Sequence, residues 1–595
     1  METVDKPEKT GNLVTKLYFR LLPIQILLAA ISAVNDLVSS LFASNYVGAA
    51  AMGVVGLYSP INMLLSAICT MMVSGSQILC GKHMGANQID CAQGIFSTDI
   101  LLAAFFGGLY VLLHVLAAMF NWLNIFTADP EIRKYLSQYV LGKAIGILPF
   151  IIGQQFSVFL SLENKVRRTT IASVAFIIVN LIANFIFVQL LRMEVFGIAL
   201  ASSCGLWAFL LIQLSYYLGG KSYLFKFSIK KVRMSDFGTI LLVGIAGALT
   251  YIYQALRGVI ANVLINKYAG SAGLSAFATV NSFLGLFWAI PSGMMTVSRM
   301  LMSVYIGEED RRGLTDVMRN MFRWCLPLMS AVIAAIVLLA GPITNLYYHV
   351  PGETIYNYTL WGIRLMAIVM PVAVVEMHFM CYAQTSGKQL MIQLYGVIDG
   401  VAGVIGFSLI LMPFMSMNGM YLANILNSAF CIGMAVVYSI IFNKRFPRNM
   451  DDLMAIPAQF GVSKENRMEL TIRNLEDVVT VANTVSRFCR EHGMDERRTY
   501  LSSLFLEEMA GNVVEHGFIK DKKKNHEVGI RVSVKGDIFI LRINDDCIPF
   551  NPEDRKDIFD PNDPAKNMGL RMVYHMARKI EYHNILGLNV LTIQV

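Results

Sequence analysis

Charge is scarce in this chain. Only 15% of its 595 residues are Asp, Glu, Lys or Arg, against 55% apolar, and mean hydropathy is +0.54. That balance excludes a soluble enzyme as a description of the whole. Cysteine is also sparse and without pattern. The nine residues lie mostly inside apolar runs (Cys69, Cys204, Cys325, Cys431), with no CxxC and no Cys/His cluster. Neither a disulfide framework nor a zinc spacing is therefore expected, and each thiol reads as a small buried apolar group. No G-x-x-x-x-G-K-S/T loop occurs, which argues against a pump driven by a P-loop ATPase. The opening METVDKPEKTGNLVTKLYFR lacks a short apolar region with a small-residue cleavage site, so no cleaved signal peptide is expected. The net charge of +8 is spread over loops, which suits membrane topology better than nucleic-acid binding.

What is abundant is apolar sequence in membrane-length runs. A helix needs about 20 apolar residues to cross a bilayer. Such runs lie near 18–44, 52–79, 96–119, 140–161, 170–191, 195–218, 240–266, 274–304, 324–346, 359–383, 389–413 and 417–442. The chain thus divides into a tail (1–17), a first bundle (18–218), a loop (219–239), a second bundle (240–442), a linker (443–464) and a polar domain (465–595). One set of loops holds Lys16, Arg20, Lys82, Lys165, Arg167, Arg168, the Lys221–Arg233 group, Arg311, Arg312, Arg319, Arg323, Lys388, Lys444, Arg445 and Arg448. The opposite loops offer only Arg133, Lys134, Arg192 and Lys267. The excess of positive charge on one side places both termini in the cytoplasm, in the cytoplasmic membrane of a bacterium.

The two bundles repeat at an offset of about 222 positions. YVGAAAM at Tyr46–Met52 matches YAGSAGL at Tyr268–Leu274, Gly85 matches Gly307, Pro149 matches Pro371, and FGIALAS around Gly197 matches NGMYLAN around Gly419. Six spans per half give both halves one orientation. That predicts a pseudo-two-fold axis along the membrane normal, with a site between or within the halves. With Leu22-Pro23, YVG followed by GVVGLYSP, and N-x-x-x-N-x-x-F from Asn180, the region 15–442 resembles the multidrug and toxic compound extrusion (MATE) family. The resemblance implies a two-lobed secondary antiporter exporting small organic or cationic molecules in exchange for H⁺ or Na⁺.

An ionisable group in the membrane needs a reason, since it costs roughly 2.5–3.5 kcal/mol at mid-bilayer on insertion scales. Asp36, in the first span, is the sharpest candidate for a site that alternates between charged and neutralised forms. A structural pair with a base such as Arg257 is the alternative. Aligned on YVG, the acid of the family's proton-coupled branch falls at Ser39, one turn later, and the family's frequent Asp in the fifth span is Asn184 here. Asn180 and Asn184 are one turn apart and make a polar patch. Glu376 and Asp399 are acids of the second half, each read either as an ion site or as part of a buried pair. Arg257 reads as cavity lining or as glue between helices. Asp99, near the inner end of its span, reads as structural or solvated.

The polar domain reads as an α+β sandwich with helices on one face of a mixed sheet. MELTIRNL is strand-like, LEDVVTVANTVSRFCREHG an amphipathic helix, and DERRTYLSSLFLEEMAGNVVEHG a second helix capped by Gly517. VGIRVSVKGDIFILRIND is a hairpin, GLRMVYHMARKI a helix and LNVLTIQV a closing strand. On the second helix Glu508, Asn512 and His516 recur every four residues. An amide oxygen there suits Mg²⁺, and a carboxylate suits a general base. FLEEMAGNVVEHGF, INDDCIPFNP, NMGLRMV and LGLNVLTI occur in the order of the GHKL ATPase superfamily, and the domain resembles its anti-sigma-factor serine kinase branch. The resemblance implies ATP and Mg²⁺ as ligands. Glu508 would be the catalytic base, Asn512 the metal ligand beside His516, Asp545 the adenine acceptor and Gly569 a phosphate-holding glycine. Cys547 and Asn567 stand where the family tends to have Gly, and Asn589 where Thr is common.

Two hypotheses compete with an exporter carrying a regulatory ATP-binding or kinase domain. One is a membrane-tethered serine kinase that senses a ligand through its helices, with a STAS-domain protein and a sigma factor as partners. The other is a flippase of lipid-linked precursors.

Overall fold

A computed structural model describes residues 11–595 except 48, 121, 126–129, 221, 223, 463, 521–525 and 554–567, and at a few helical positions, Asp36 among them, the backbone alone. Apolar runs of this length fold as helix because only bonds within the segment satisfy the backbone in lipid. The first lobe is α1 (Gly11–Phe42), α2 (Ala49–Gly85), α3 (Ile89–Met119), α4 (Pro130–Leu162), α5 (Val166–Asn184) and α6 (Glu194–Leu218). The second begins with α7 (Met234–Phe287), α8 (Ala289–Gly307), α9 (Arg311–Asn320) and α10 (Leu326–Leu338). It continues with the short α11 (Ala340–Asn345), α12 (Thr354–Ser386), α13 (Gln389–Val397), α14 (Gly403–Met415) and α15 (Met417–Asn443).

Among the described residues, eleven stretches are long and apolar enough to span a bilayer. One of them, α7, runs for 54 residues and is two legs joined at Gly270, where φ 64° and ψ −161° leave the helical region. Counting both legs restores the twelve crossings. Side chains disfavour that backbone, so the turn between the legs depends on glycine. The matching prolines, Pro149 and Pro371, both lie inside helices.

The lobes meet where α2 crosses α7 and α8. A β-carbon on Gly85 would overlap the carbonyl of Val304, and one on Gly307 would overlap the carbonyl of Lys82. Lys82 and Val304 are themselves repeat mates, so the two contacts are images of each other. A reciprocal contact of this kind is the signature of a two-fold axis, here acting within one chain. Small residues let the backbones approach this closely.

Beyond α15 the linker holds α16 (Met450–Leu453), tied back by Arg445 to Asp452 at 3.1 Å. The polar domain comprises β1 (Arg467–Ile472), α17 (Leu475–Glu491), α18 (Glu496–Asn512), α19 (Phe518–Lys520), β2 (Val528–Lys535), β3 (Ile538–Asp545), α20 (Met568–Met576), β4 (Lys579–Ile585) and β5 (Leu588–Gln594). Asn474 and Asp495 cap α17 and α18 by accepting from the N–H groups of Asp477 and Arg498. The sheet order is β1-β2-β3-β5-β4 with every pairing antiparallel.

Three sequence expectations are corrected here. The sheet is not mixed. A strand, β4, occupies the end of the stretch read as helix, because Ile580 and Tyr582 alternate into a tight turn at Leu586-Gly587, where φ is 55° and 81°. Gly517 does not cap α18: the chain passes through a π turn, Val513–Gly517, into α19.

Register decides what each sheet face does. Leu470, Ile530, Ile543 and Leu591 lie in one row and pack under the helices. Glu469, Arg531, Arg542 and Thr592 form a row on the opposite face, and that face is docked on the membrane unit. Arg531 bonds Asp310 and lies 3.9 Å from Glu308, while Arg542 reaches Glu308 at 3.2 Å and Arg312 reaches Glu469 at 2.8 Å. Glu308 and Asp310 lie in the turn between α8 and α9. Burial pushes the carboxyls of Glu308 and Glu469 up, against the opposing pull of the arginines. Burial also works against the charge of Arg531, but Asp310, Glu469 and Glu308 outweigh it and hold its guanidinium above the usual range. The β4–β5 turn docks on the other lobe. Leu586 N–H donates to the carbonyl of Leu162 at 3.1 Å, Gly587 abuts Asn164 and Arg20, and Ile585 and Leu586 are buried in the apolar core of the membrane unit.

Candidate functional sites

Two polar clusters lie within the lobes. In the first, Asn180 Nδ2 donates to Asn35 Oδ1 at 2.9 Å, and Asn184 Nδ2 donates to Asn180 Oδ1 at 2.9 Å. Ser202 Oγ donates to the same Asn35 oxygen at 2.7 Å and accepts from Lys143 Nζ at 2.9 Å. Asn35, Lys143 and Ser202 also line a small pocket with Tyr58, Asn62 and Phe176. The expected Asn180–Asn184 patch is therefore assembled, with three further residues that sequence reading missed. Lys143 had a signal, a cation in an apolar run; Ser202 had none. The side chain of Asp36 lies outside the described residues.

In the second lobe the structure brings Glu376 and Asp399 together. Their carboxylates and the Cys431 sulfur all lie within 4.8 Å of one another. Asn427 Nδ2 donates to Asp399 Oδ1 at 2.9 Å, and Arg257 Nη1 donates to the Asp399 carbonyl at 3.3 Å. Asp399 sits on a π turn, Ile398–Ala402, between α13 and α14, a local widening frequent at functional sites. Glu376 is 6% exposed, on α12. Two carboxylates this close in a low-dielectric interior call for a proton or a cation between them. Asp99, read as structural or solvated, is fully buried, and neither carboxylate oxygen has a hydrogen-bond partner.

The third site is at the edge of the polar domain. Asp545, at the end of β3, is 5% exposed, and its Oδ1 accepts from Cys547 N–H at 2.9 Å and Asn589 Nδ2 at 2.7 Å. Tyr582 OH and Asn584 Nδ2 donate to the Asn589 oxygen and so fix which end of its amide faces Asp545. Burial pushes the Asp545 carboxyl above the usual range, and the Asn589 and Cys547 donors oppose that shift. A carboxylate held in this way suits an exocyclic amino group as partner. Asn589 therefore does here what a Thr hydroxyl would do, by donating to the acid.

Glu508 and Asn512 are half-buried on α18. A β-carbon on Gly569 would overlap the Glu508 carboxylate, so the sequence-distant pair meets, with α20 packed over the acid. His516 is exposed and lies in the π turn, whose wider winding breaks the four-residue recurrence read from sequence. Cys547 has no left-handed φ, so that position does not require the glycine it replaces. Asn567 lies outside the described residues. The buried acid, the half-buried amide and the glycine-lined approach to Glu508 fit Mg-ATP.

A family model described as MatE matches residues 26–186 and 247–406, in two pieces that reproduce the internal repeat. A second model, described as a histidine kinase-like ATPase domain, matches 473–595. No curated protein matches the chain. Among solved structures, an outward-facing MATE multidrug resistance transporter of the MOP superfamily aligns with TM-score 0.67 at 16% identity, over 73% of this chain and 98% of its own. A Vibrio cholerae MATE transporter aligns with TM-score 0.67 at 14% identity, over 73% and 98%. A Pyrococcus furiosus MOP superfamily transporter, described as having a binding pocket of reversed polarity, aligns with TM-score 0.65 at 16% identity, over 72% and 97%. At these identities the likeness is one of fold.

Proposed function

The chain belongs to the MatE family, and from that premise we propose that it is a cation-coupled exporter of small organic compounds whose ATP-binding domain controls the alternation of its two lobes. The observation that carries the regulatory part is the double attachment of the sheet. Its β4–β5 turn holds the first lobe at Leu162 and Asn164, and its Arg531–Arg542 row holds the second lobe at Glu308 and Asp310. Opening the seam between α2 and α8 on this side must break one attachment. The docked domain therefore favours the state closed on the side that carries it, and the excess of loop cations there supports taking that side as the cytoplasm of a bacterium. Asp545 lies three residues beyond Arg542 on β3, so nucleotide and docking share one strand. Asp545 would receive adenine and Asn512 would hold Mg²⁺.

Coupling is assigned to the acids: Asp36 in the first lobe, beside the Asn180–Asn184 cluster, and the Glu376–Asp399 pair in the second, with H⁺ or Na⁺ taken up and released as the lobes alternate. Efflux from proteoliposomes under an imposed H⁺ or Na⁺ gradient tests this. Glu376→Gln and Asp36→Asn should each abolish gradient-driven efflux of an organic cation, and ATP on the domain side should change the rate in wild type but not in Asp545→Ala. Gradient-independent movement of a lipid-linked substrate would replace the exporter by a flippase.

A second reading rests on the Glu508–Gly569 contact. The acid beside this glycine would serve as the base for phosphoryl transfer, and the domain would also phosphorylate a Ser or Thr of a STAS-type partner. Phosphate transfer to such a protein, lost in Glu508→Ala, is the expected result.

A further inference from the structure

The thiol at position 547 has company that the linear sequence hides. The β2–β3 register pairs Val528 with Asp545. Continued two residues past the ladder, it sets residue 526 opposite residue 547. His526 and Cys547 do meet there: His526 Nδ1 lies 3.8 Å from Cys547 Sγ and 3.1 Å from Asp546 Oδ1. All three donor atoms lie within 4.8 Å of one another. His526 is 8% and Cys547 5% exposed, while the Asp546 side chain keeps 17% of its surface in solvent. The His526 ring is stacked on Phe518, with centroids 5.2 Å apart. Gly517 leaves room for the sulfur: a β-carbon there would sit 3.3 Å from it.

We propose that His526, Asp546 and Cys547 form a zinc site at the rim of the nucleotide pocket. Zinc bonds near 2.0–2.2 Å to N and O and near 2.3 Å to S, at tetrahedral angles, separate N from O by about 3.3 Å and N from S by about 3.6 Å. The two separations from His526 Nδ1 need adjustments of a few tenths of an ångström, and the carboxylate and sulfur, within 4.8 Å of each other, must close to the tetrahedral spacing. One imidazole, one carboxylate and one thiolate are three protein ligands, which leaves the fourth position to water. A thiolate with an imidazole selects zinc over magnesium, so the site is chemically distinct from the Mg²⁺ role of Asn512. Binding releases the Cys547 proton to solvent. The ion would tie the entrance of β2 to the loop after β3, whose Cys547 N–H holds Asp545 and whose Cys547 carbonyl accepts from Asn589 at 3.2 Å. It would thus fix the loop next to the proposed adenine acceptor, although its binding does not depend on nucleotide.

The test uses the full chain in detergent, stripped with chelator and titrated with Co²⁺ and then Zn²⁺. The expected result is one equivalent of Co²⁺ giving a thiolate-to-cobalt charge-transfer band, which stoichiometric Zn²⁺ displaces. Cys547→Ser should abolish the band, and His526→Ala should weaken Zn²⁺ binding at least tenfold. Asp546→Asn, at the partly exposed position, checks the site if a buried variant fails to fold. Cys431→Ala should leave the band intact, because the Glu376–Asp399–Cys431 group lies in the membrane unit. Absence of the band in wild type, or its survival in Cys547→Ser, would overturn the proposal.

Discussion

Asp545 illustrates how burying a single carboxyl group weighs on stability. Its folded carboxyl titrates above its unfolded value because burial disfavours the charge. A carboxyl raised in this way contributes stability that is present below the ordinary Asp range and is lost as pH rises through the folded value. At neutral pH the charged form is therefore a net cost to the nucleotide-free domain. Asp545→Asn keeps an oxygen for Cys547 and Asn589 while removing the charge. It should raise the melting temperature at pH 7, flatten the pH dependence above the Asp range and abolish ATP binding. A lower melting temperature would show that the donors outweigh burial. Asn589 allows a companion test. Asn589→Ala removes the amide donor from Asp545 and should cost about 1–3 kcal/mol, whereas Asn589→Thr should retain nucleotide affinity, both read by titration with an ATP analogue.

Among the elements, the reciprocal crossing of α2 and α8 is tightly constrained. Gly85 and Gly307 each face the other helix's backbone. Gly307→Leu should force the helices apart, with an overpacking cost of about 1–3 kcal/mol. Spin labels on either side of the seam should then report a longer distance, and an unchanged distance would mean that the crossing is not the gate. The same scale explains α7. Its sequence offers two apolar runs of the expected length, yet the turn between them is a single glycine rather than a loop, so the helix continues on both sides of Gly270.

For the whole molecule, the question is what joins the two parts of the chain. The linker contributes: Arg311 pairs with Asp451 at 3.1 Å, and Lys388 Nζ donates to the Ala455 carbonyl at 2.8 Å. The ionic row of the sheet is the larger attachment. Arg531→Ala would leave Asp310 buried without its arginine and Glu469 paired with Arg312 alone, at a cost of about 3 kcal/mol, the low end for a buried pair because Arg531 keeps 20% of its side chain exposed. Hydrogen exchange should rise in the α8–α9 turn and in the β4–β5 turn together if the domain leaves as one body. A rise confined to the α8–α9 turn would instead show that the two attachments act separately. Transport by the same variant should lose its response to ATP while keeping its dependence on the ion gradient.

The sequence by itself determined the class of each part. Hydropathy fixed the membrane runs because a bilayer leaves the backbone no alternative to helix, and the 222-residue offset required two like lobes. Periodicity found α17, most of α18 and the β2–β3 hairpin, and the ordered motifs named the type of the ATPase-like domain. What only the tertiary structure decided depends on contacts between residues far apart in the chain. Glu376 and Asp399 are unremarkable singly and become a close buried pair because α12 and the π turn before α14 bring them together. β4 was hidden because its alternation is short and follows a helix without a break. The π turn that moves His516 leaves no mark in a pattern of four-residue steps. The row Glu469–Arg531–Arg542 and its acidic partners at Glu308 and Asp310 are invisible in sequence for the same reason: strand register and docking, not local propensity, set which charges meet.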